Sequence, residues 1–244
     1  KRGWGFLRSD LHEFIELWPA QQQTKEQIWY QGTADAVYQN LSIIGDINPK
    51  YIVVLAGDHV YKQDYSIMLH NHIAAGAGIT VGCIEVDRKD AMAFGVMAVD
   101  EELNIVSFVE KPSDPPTISG KPDRSLASMG IYIFNADLLA GELKEDARDY
   151  ASSHDFGKDI IPDSIGKHKI IAHPFEMSCI KTPGYDEPYW RDVGTLIAYW
   201  EANIDLTKLE PKLDLYDESW PIRTVHYQRP AAKFNYNYEE RIGT

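Results

Sequence analysis

Apolar positions along this chain follow two rhythms. Tyr51-Ile52-Val53-Val54-Leu55 is an unbroken, β-branched run, and residues 79–86 read as another buried strand. Runs without alternation predict strands buried on both faces, as in a parallel sheet. Between them, 64–75 is helical in period and is stopped by Gly76 and Gly78. Strand, helix and strand in that order predict a βαβ unit with a right-handed crossover. Upstream, Ala34, Val37, Leu41 and Ile44 recur at helical spacing, predicting a helix over 33–47 with Thr33 as N-cap and Asn48-Pro49 as its stop. Downstream, Gly95–Val99 and Ile105–Glu110 flank a turn-like 100–104 and predict a hairpin. A loop rich in Pro, Ser, Gly and Asp covers 111–124, and 126–134 is a strand. Helices are expected from Ala136, over 156–165 with a kink or early end at Pro162, and over 195–206 as an amphipathic helix. From Pro211 the pattern dissolves, so 1–210 reads as one domain and 211–244 as a linker leading elsewhere. The fold class is α/β, with a mostly parallel, Rossmann-like mixed sheet flanked by helices.

Charge and composition narrow the partners. Across 244 residues, 24 Lys and Arg face 37 Asp and Glu, a net charge of −13. That balance argues against nucleic acid, which selects a basic face, but not against small anions held by local cations. No apolar stretch approaches the roughly 18 residues that suggest a membrane span, and no segment resembles a secretion signal. Cys83 and Cys179 sit in apolar contexts far apart, which reads as two free thiols in a cytoplasmic protein. The first residue is Lys1, and the chain reads as an internal piece of a longer one.

Against this background a few residues carry candidate chemistry. Asp58 follows the first strand through Ala56-Gly57, where open α/β sheets bind ligands. Asp192 stands in a similar setting, Tyr189-Trp190-Arg191-Asp192-Val193-Gly194-Thr195. Either alone can be an ordinary cap. Two carboxylates beside glycines, without a histidine cluster, suit Mg²⁺, which takes one or two carboxylates plus phosphate oxygens and water. In Glu110-Lys111-Pro112, the ammonium can serve as a point charge for phosphate, or as a solvated surface group, and the glutamate can accept hydrogen bonds from sugar hydroxyls. Trp29-Tyr30-Gln31-Gly32-Thr33 leads into a helix, whose free N–H groups beside Gly32 and Thr33 can receive a phosphate or a base edge of a nucleotide, or be capped in the usual way. His154-Asp155-Phe156-Gly157-Lys158-Asp159 reads as a capping segment. There is no dinucleotide or P-loop fingerprint, no zinc spacing and no nucleophile elbow.

Taken jointly, these segments resemble the bacterial ADP-glucose pyrophosphorylases, the glucose-1-phosphate adenylyltransferases. The resemblance rests on Leu17-Trp18-Pro19-Ala20-Gln21-Gln22, Trp29 to Val37, Leu55-Ala56-Gly57-Asp58-His59-Val60-Tyr61 and Ala93-Phe94-Gly95-Val96-Met97. It continues through Phe108-Val109-Glu110-Lys111-Pro112, Leu126-Ala127-Ser128-Met129-Gly130-Ile131-Tyr132, Ser153 to Asp159 and Tyr189 to Thr195. It implies a reaction of ATP with α-D-glucose 1-phosphate to give ADP-glucose and pyrophosphate, for glycogen synthesis. Asp58 and Asp192 would hold Mg²⁺, and Lys111 would pair with the sugar phosphate. Glu110, Gly95 and Ser128 would contact glucose 1-phosphate, with Tyr30 and Asp155 beside it, and Trp29 would couple regulatory and substrate sites. The resemblance further implies an allosteric homotetramer. Family members carry a glycine-rich triphosphate loop before the point where this chain starts, and a left-handed β-helix domain beyond its end. On that ground the 244 residues alone are expected to be inactive. Some members also contact AMP through arginines near the end of the first helix, where this chain has Gly45 and Asp46. Two rivals stand beside this reading: a non-catalytic sugar-phosphate-binding regulatory module, and a transferase using UTP or dTTP.

Overall fold

The computed structural model describes residues 2–18, 29–182, 184–224, 236–237 and 242–243. They fall into two units, Trp18–Trp220 and the pairing of Lys1–Leu17 with Pro221–Thr244. The larger unit runs α1 (Thr33–Tyr38), α2 (Leu41–Ile47), β1 (Tyr51–Leu55), β2 (His59–Tyr61), α3 (Tyr65–Ala74), β3 (Ile79–Asp87), α4 (Arg88–Ala91) and β4 (Gly95–Val99). It continues with β5 (Ile105–Glu110), β6 (Arg124–Asn135), α5 (Ala136–Asp146), a π-turn at Phe156–Ile160, α6 (Ile161–Ser164), β7 (Ile170–Pro174), β8 (Trp190–Asp192) and α7 (Leu196–Asp205). The smaller unit holds 3-10 turns at Arg2–Trp4 and Ser9–Leu11, and a short antiparallel pair, β9 (Tyr236–Asn237) with β10 (Ile242–Gly243). Within it the Arg223 guanidinium sits 4.7 Å above the Phe6 ring.

The sheet is built around β6. Its neighbours run in the order β5-β4-β6-β3-β7, and β1 also pairs with β6. Among the pairings between described strands only β3 with β7 is parallel; β1, β3 and β4 are all antiparallel to β6. The expectation of a mostly parallel sheet is therefore corrected to a mixed, mostly antiparallel one. β1, α3 and β3 do follow in the expected order and the two strands point the same way. However, β6 lies between them, so the βαβ unit is split. The apolar run of β7 escapes the sequence pattern above, because Ile170-Ile171-Ala172 is short and His173-Pro174 closes it at once.

Alternation along β6 sorts the core into two layers. Tyr132 and Phe134 face Leu139, Leu143, Phe156, Ile160 and Ile161, while Met129, Ile131 and Ile133 face Met68 and Phe175. Each such fully buried side chain contributes about 1.5–3 kcal/mol by leaving water. β1 is not buried on both faces as expected: Ile52 and Val54 pack on the first layer, but Val53 and Leu55 are 40% and 45% exposed. The amphipathic α7 likewise keeps only Ala202 buried, leaving Leu196, Ile197 and Trp200 in the open.

Two boundaries also move. The expected 33–47 helix breaks between α1 and α2, where the Asn40 amide donates to the Ala36 carbonyl (2.8 Å) and competes with the helix ladder. The larger unit ends at Trp220 rather than at 210. Leu213 is buried, and Asp217 reaches the Lys62 ammonium at 3.0 Å, so the stretch after Pro211 is packed onto the unit. Cys83 is a buried free thiol; Cys179 is also free but only partly covered. Among the described residues no helix is long and apolar enough to cross a membrane.

Candidate active site

The two aspartates meet on a two-stranded ribbon. β2 starts directly after Asp58 and pairs antiparallel with β8, with His59 opposite Asp192 and Tyr61 opposite Trp190. The Val193 N–H donates to the Asp58 carbonyl at 2.8 Å and continues the pairing past the strand end. The Gly194 N–H donates to Asp192 Oδ1, also at 2.8 Å. A Cβ on Gly194 would lie 3.0 Å from Asp58 Oδ2 and 3.1 Å from Asp192 Oδ1, so both carboxylates converge on the bare face of this glycine. Residues 134 apart in sequence thus form one anionic pair by strand pairing, which no local pattern reveals. Asp58 remains half exposed, so the pair is open to a ligand. Asp58 and Asp192 are the residues that can hold a divalent cation. Two carboxylates are a donor set that suits Mg²⁺, which takes substrate oxygens and water for the rest; among the described residues no cluster of three or more His, Cys, Asp or Glu could hold a metal ion.

A second polar group forms at the end of β5. Glu110 Oε2 would be 2.7 Å from a Cβ on Gly95 and 2.8 Å from one on Gly157; both glycines are needed for this carboxylate to lie where it does. Burial raises its pKa above the usual carboxylate range, with Asp155 adding to the rise and Lys111 opposing it. Lys111 adopts the left-handed conformation (φ +47°), with its N–H donating to the Phe94 carbonyl at 3.0 Å. Its ammonium is largely exposed, 3.9 Å from Glu110 Oε1. Ser128 is buried on β6 beside Tyr132, whose hydroxyl pKa rises to about 12 through burial.

Aromatic packing seats the π-turn against this group. Phe156 lies 5.7 Å from Tyr132 and 5.6 Å from Phe134, which fixes Asp155 and Gly157 on either side of it. Asp155 is the cap of that turn. Its Oδ1 accepts from Gly157 N–H (2.9 Å) and Lys158 N–H (3.1 Å), and its Oδ2 from the Thr33 hydroxyl (2.9 Å). The capping reading of 154–159 holds, and the sugar-side role implied for Asp155 has to share a carboxylate already engaged by three donors.

The α1 start departs from the sequence reading in a definite way. Gly32, not Thr33, is the N-cap, and the Ala34 N–H donates to the His154 carbonyl at 2.9 Å, with Asp35 N–H at 3.3 Å. Those two donors are spent within the protein, so a phosphate or base edge at Gly32 and Thr33 would have to be met without them. The Thr33 hydroxyl is also engaged, donating to Asp155 and accepting from Phe156 N–H (3.1 Å). Tyr30 accepts from the Asn40 amide at 3.1 Å, and Trp29 is exposed.

Trp190 joins the two groups. Its ring packs edge-on against His59 (5.1 Å) and Phe94 (5.5 Å), the residue whose carbonyl holds Lys111. Trp190, Phe94, Gly157 and Gly194 were not singled out from sequence. A glycine inside each polar motif is the signal for the last two; the aromatic pair has none, because it arises only from contact between β8 and the start of β4. A cavity of about 1050 Å³ lined by Cys83, Met97, Leu103, Arg124 and Phe175 includes none of these residues.

The site thus combines a mixed sheet, a paired-aspartate ribbon and a half-buried glutamate packed on two glycines beside an exposed lysine, and the chain belongs to the nucleotidyl transferase family, whose model matches residues 6–209. More particularly, it is 58% identical over 243 residues to glucose-1-phosphate adenylyltransferase of Rhodospirillum rubrum, covering all of this chain and 57% of that relative. The enzyme of the same name from Paraburkholderia phymatum is 59% identical over 234 residues, 96% of this chain and 56% of the relative. That of Francisella tularensis subsp. holarctica is 56% identical over 235 residues, again 96% and 56%. The chain therefore spans somewhat more than half the length of these relatives.

Proposed function

We propose that this chain is the catalytic part of a glucose-1-phosphate adenylyltransferase, which joins ATP and α-D-glucose 1-phosphate to give ADP-glucose and pyrophosphate for glycogen synthesis. The observation that carries this reading is the 58% identity over 243 residues, which spans the whole chain. The chemistry of those groups supports it. A sugar phosphate is already anionic near neutral pH, so no general base is required. The difficulty is to bring two anions into line, a task of positioning and charge neutralisation. Lys111 supplies the cation for the sugar phosphate. Glu110, half-buried, accepts from sugar hydroxyls, with Gly95 and Ser128 shaping the pocket and Tyr30 and Asp155 bordering it. Asp58 and Asp192 would hold Mg²⁺, which when bound screens the reacting phosphates. Nucleotide contact at Gly32 and Thr33, coupling through Trp29 and a tetrameric, allosterically regulated whole protein belong to the same proposal.

The test is pyrophosphate release by the full-length protein with glucose 1-phosphate, Mg²⁺ and each of ATP, UTP and dTTP. ATP should be preferred by orders of magnitude, and Asp58→Asn or Asp192→Asn should lower turnover at least about a hundredfold while the fold is kept. Preference for UTP or dTTP, or normal turnover in both variants, would overturn the reading.

A further inference from the structure

The carboxylate ribbon is held from behind by the chain segment that follows it. Alternation along β2 and β8 puts His59, Tyr61, Trp190 and Asp192 on one side, against Phe94 and Phe175. Val60 and Arg191, opposite one another in the register, take the other side, and Lys62 continues it. Each strand of the ribbon sends one cation from this side to the same descending segment. Arg191 of β8 donates from Nη2 to Asp205 Oδ2 at 2.8 Å, at the end of α7. Lys62, next after β2, reaches Asp217 Oδ2 at 3.0 Å, with both side chains less than a tenth exposed. The remaining Asp217 oxygen is fully used, accepting from Ser219 N–H, the Ser219 hydroxyl and Trp220 N–H. Further bonds dock the intervening stretch: the Thr182 hydroxyl donates to the Lys212 carbonyl (2.8 Å) and the Tyr185 hydroxyl to the Glu210 carbonyl (2.9 Å).

A buried ion pair with this much support is a rigid strut, and breaking one side leaves an uncompensated charge. We propose that Lys62 and Arg191 are positioning residues: through Asp217 and Asp205 they clamp the two strands of the ribbon to the 205–217 segment and so set the separation of Asp58 and Asp192. This rests on the reading of those aspartates as the cation site. Outer groups bonded directly to metal ligands typically govern affinity by 10- to 100-fold; Lys62 and Arg191 act through the strand backbone instead, which puts the expected effect at the lower end.

The experiment is Mn²⁺ binding, followed by the loss of the free-ion electron paramagnetic resonance signal, in the full-length protein as wild type, Lys62→Met, Lys62→Arg, Asp205→Asn and Asp58→Asn, with thermal melts and steady-state kinetics alongside. Lys62→Met should weaken Mn²⁺ binding about tenfold and lower kcat, with the KM for glucose 1-phosphate changed by less than about twofold. Lys62→Arg, which keeps the charge, should bind as wild type. Asp205→Asn breaks the half-exposed Arg191 pair, together with the Lys208 contact, without burying a charge; it keeps the test open should Lys62→Met fail to fold, and it too should weaken Mn²⁺ binding. Folded Lys62→Met and Asp205→Asn proteins that melt earlier yet bind Mn²⁺ as wild type would reduce the clamp to a structural role and overturn the inference. Normal Mn²⁺ binding by Asp58→Asn would instead overturn the reading of the cation site beneath it.

Discussion

Lys111 stands in the left-handed region at φ +47°, pinned by its own N–H and followed by a rigid proline. Its ammonium is nevertheless largely exposed, with Glu110 Oε1 3.9 Å away. A backbone held that firmly behind a largely exposed cation suits a group kept ready for an anionic ligand. Losing one charge-assisted contact costs about 1.5–3 kcal/mol, so Lys111→Ala should raise the KM for glucose 1-phosphate by roughly 10- to 100-fold and that for ATP far less. Steady-state kinetics on the full-length variant decide this; equal effects on both substrates would place Lys111 elsewhere in the reaction. The chemistry-bearing residues were legible at this scale because Asp, Lys and Glu beside glycine or proline at strand ends are conspicuous. Their partners were not. Nothing in the order of residues says that Gly194 lies between Asp58 and Asp192, or that Gly157 makes room for Glu110.

Among the elements, α1 illustrates how a helix start can be used up by the fold. Its periodic apolar positions are plain in sequence, and Ala34 is fully buried as they require. Its N-terminal donors go to the His154 carbonyl, and His154 is itself held at φ +55° with its ring 2.7 Å from Asp146. The approach is so close that a Cβ on Gly32 would fall 2.2 Å from that carbonyl oxygen. Gly32→Ala should therefore separate α1 from the 154–159 turn, destabilise the protein by about 1–3 kcal/mol and weaken substrate binding through Asp155 and Glu110. Chemical denaturation and a KM measurement check both effects together; an unchanged midpoint would mean that the loop adjusts at no cost. The break between α1 and α2 escaped the periodicity because Asn40 keeps a helical spacing while its side chain satisfies a backbone carbonyl within its own turn.

For the whole molecule, acid sensitivity follows from buried imidazoles. His173 bonds to Ser178 at 2.8 Å inside the second layer, and burial lowers its pKa from 6.5 to about 4; burial lowers that of His72 as well. A histidine whose folded pKa is depressed takes its proton more readily when unfolded. Its contribution is therefore complete above about pH 6.5 and is lost as the pH falls towards 4. For His173 alone the loss over that window is about 3 kcal/mol. The melting temperature should fall steadily from pH 6.5 to 4, and His173→Gln should flatten the slope; a wild-type melting temperature constant over this range would contradict the assignment. Activity is also a whole-molecule matter. A triphosphate needs several cations, and of the basic side chains at the two polar groups Lys111 is largely exposed while Arg191, beside Asp192, is paired with Asp205. Purified residues 1–244 should accordingly release pyrophosphate several orders of magnitude more slowly than the full-length protein. Comparable rates would show that the described groups suffice.

Sequence alone determined the elements that depend on local period and local chemistry. The apolar runs of β1, β3 and β6, the helices α3, α5 and α7, the β4–β5 hairpin and the polar residues at strand ends could all be read from neighbours a few positions apart. Strand direction could not. An unbroken apolar run reports burial, not whether its neighbour is parallel, and β1 proved to be a partly exposed partner of an antiparallel β6. Tertiary structure also decided which donors remain free, because the α1 N–H groups were claimed by a carbonyl some 120 residues away. It decided as well that Asp58 and Asp192 form a pair: Asp192 ends, and Asp58 directly precedes, a three-residue strand too short to hold a place by itself, and their proximity exists only where β2 and β8 are hydrogen-bonded together.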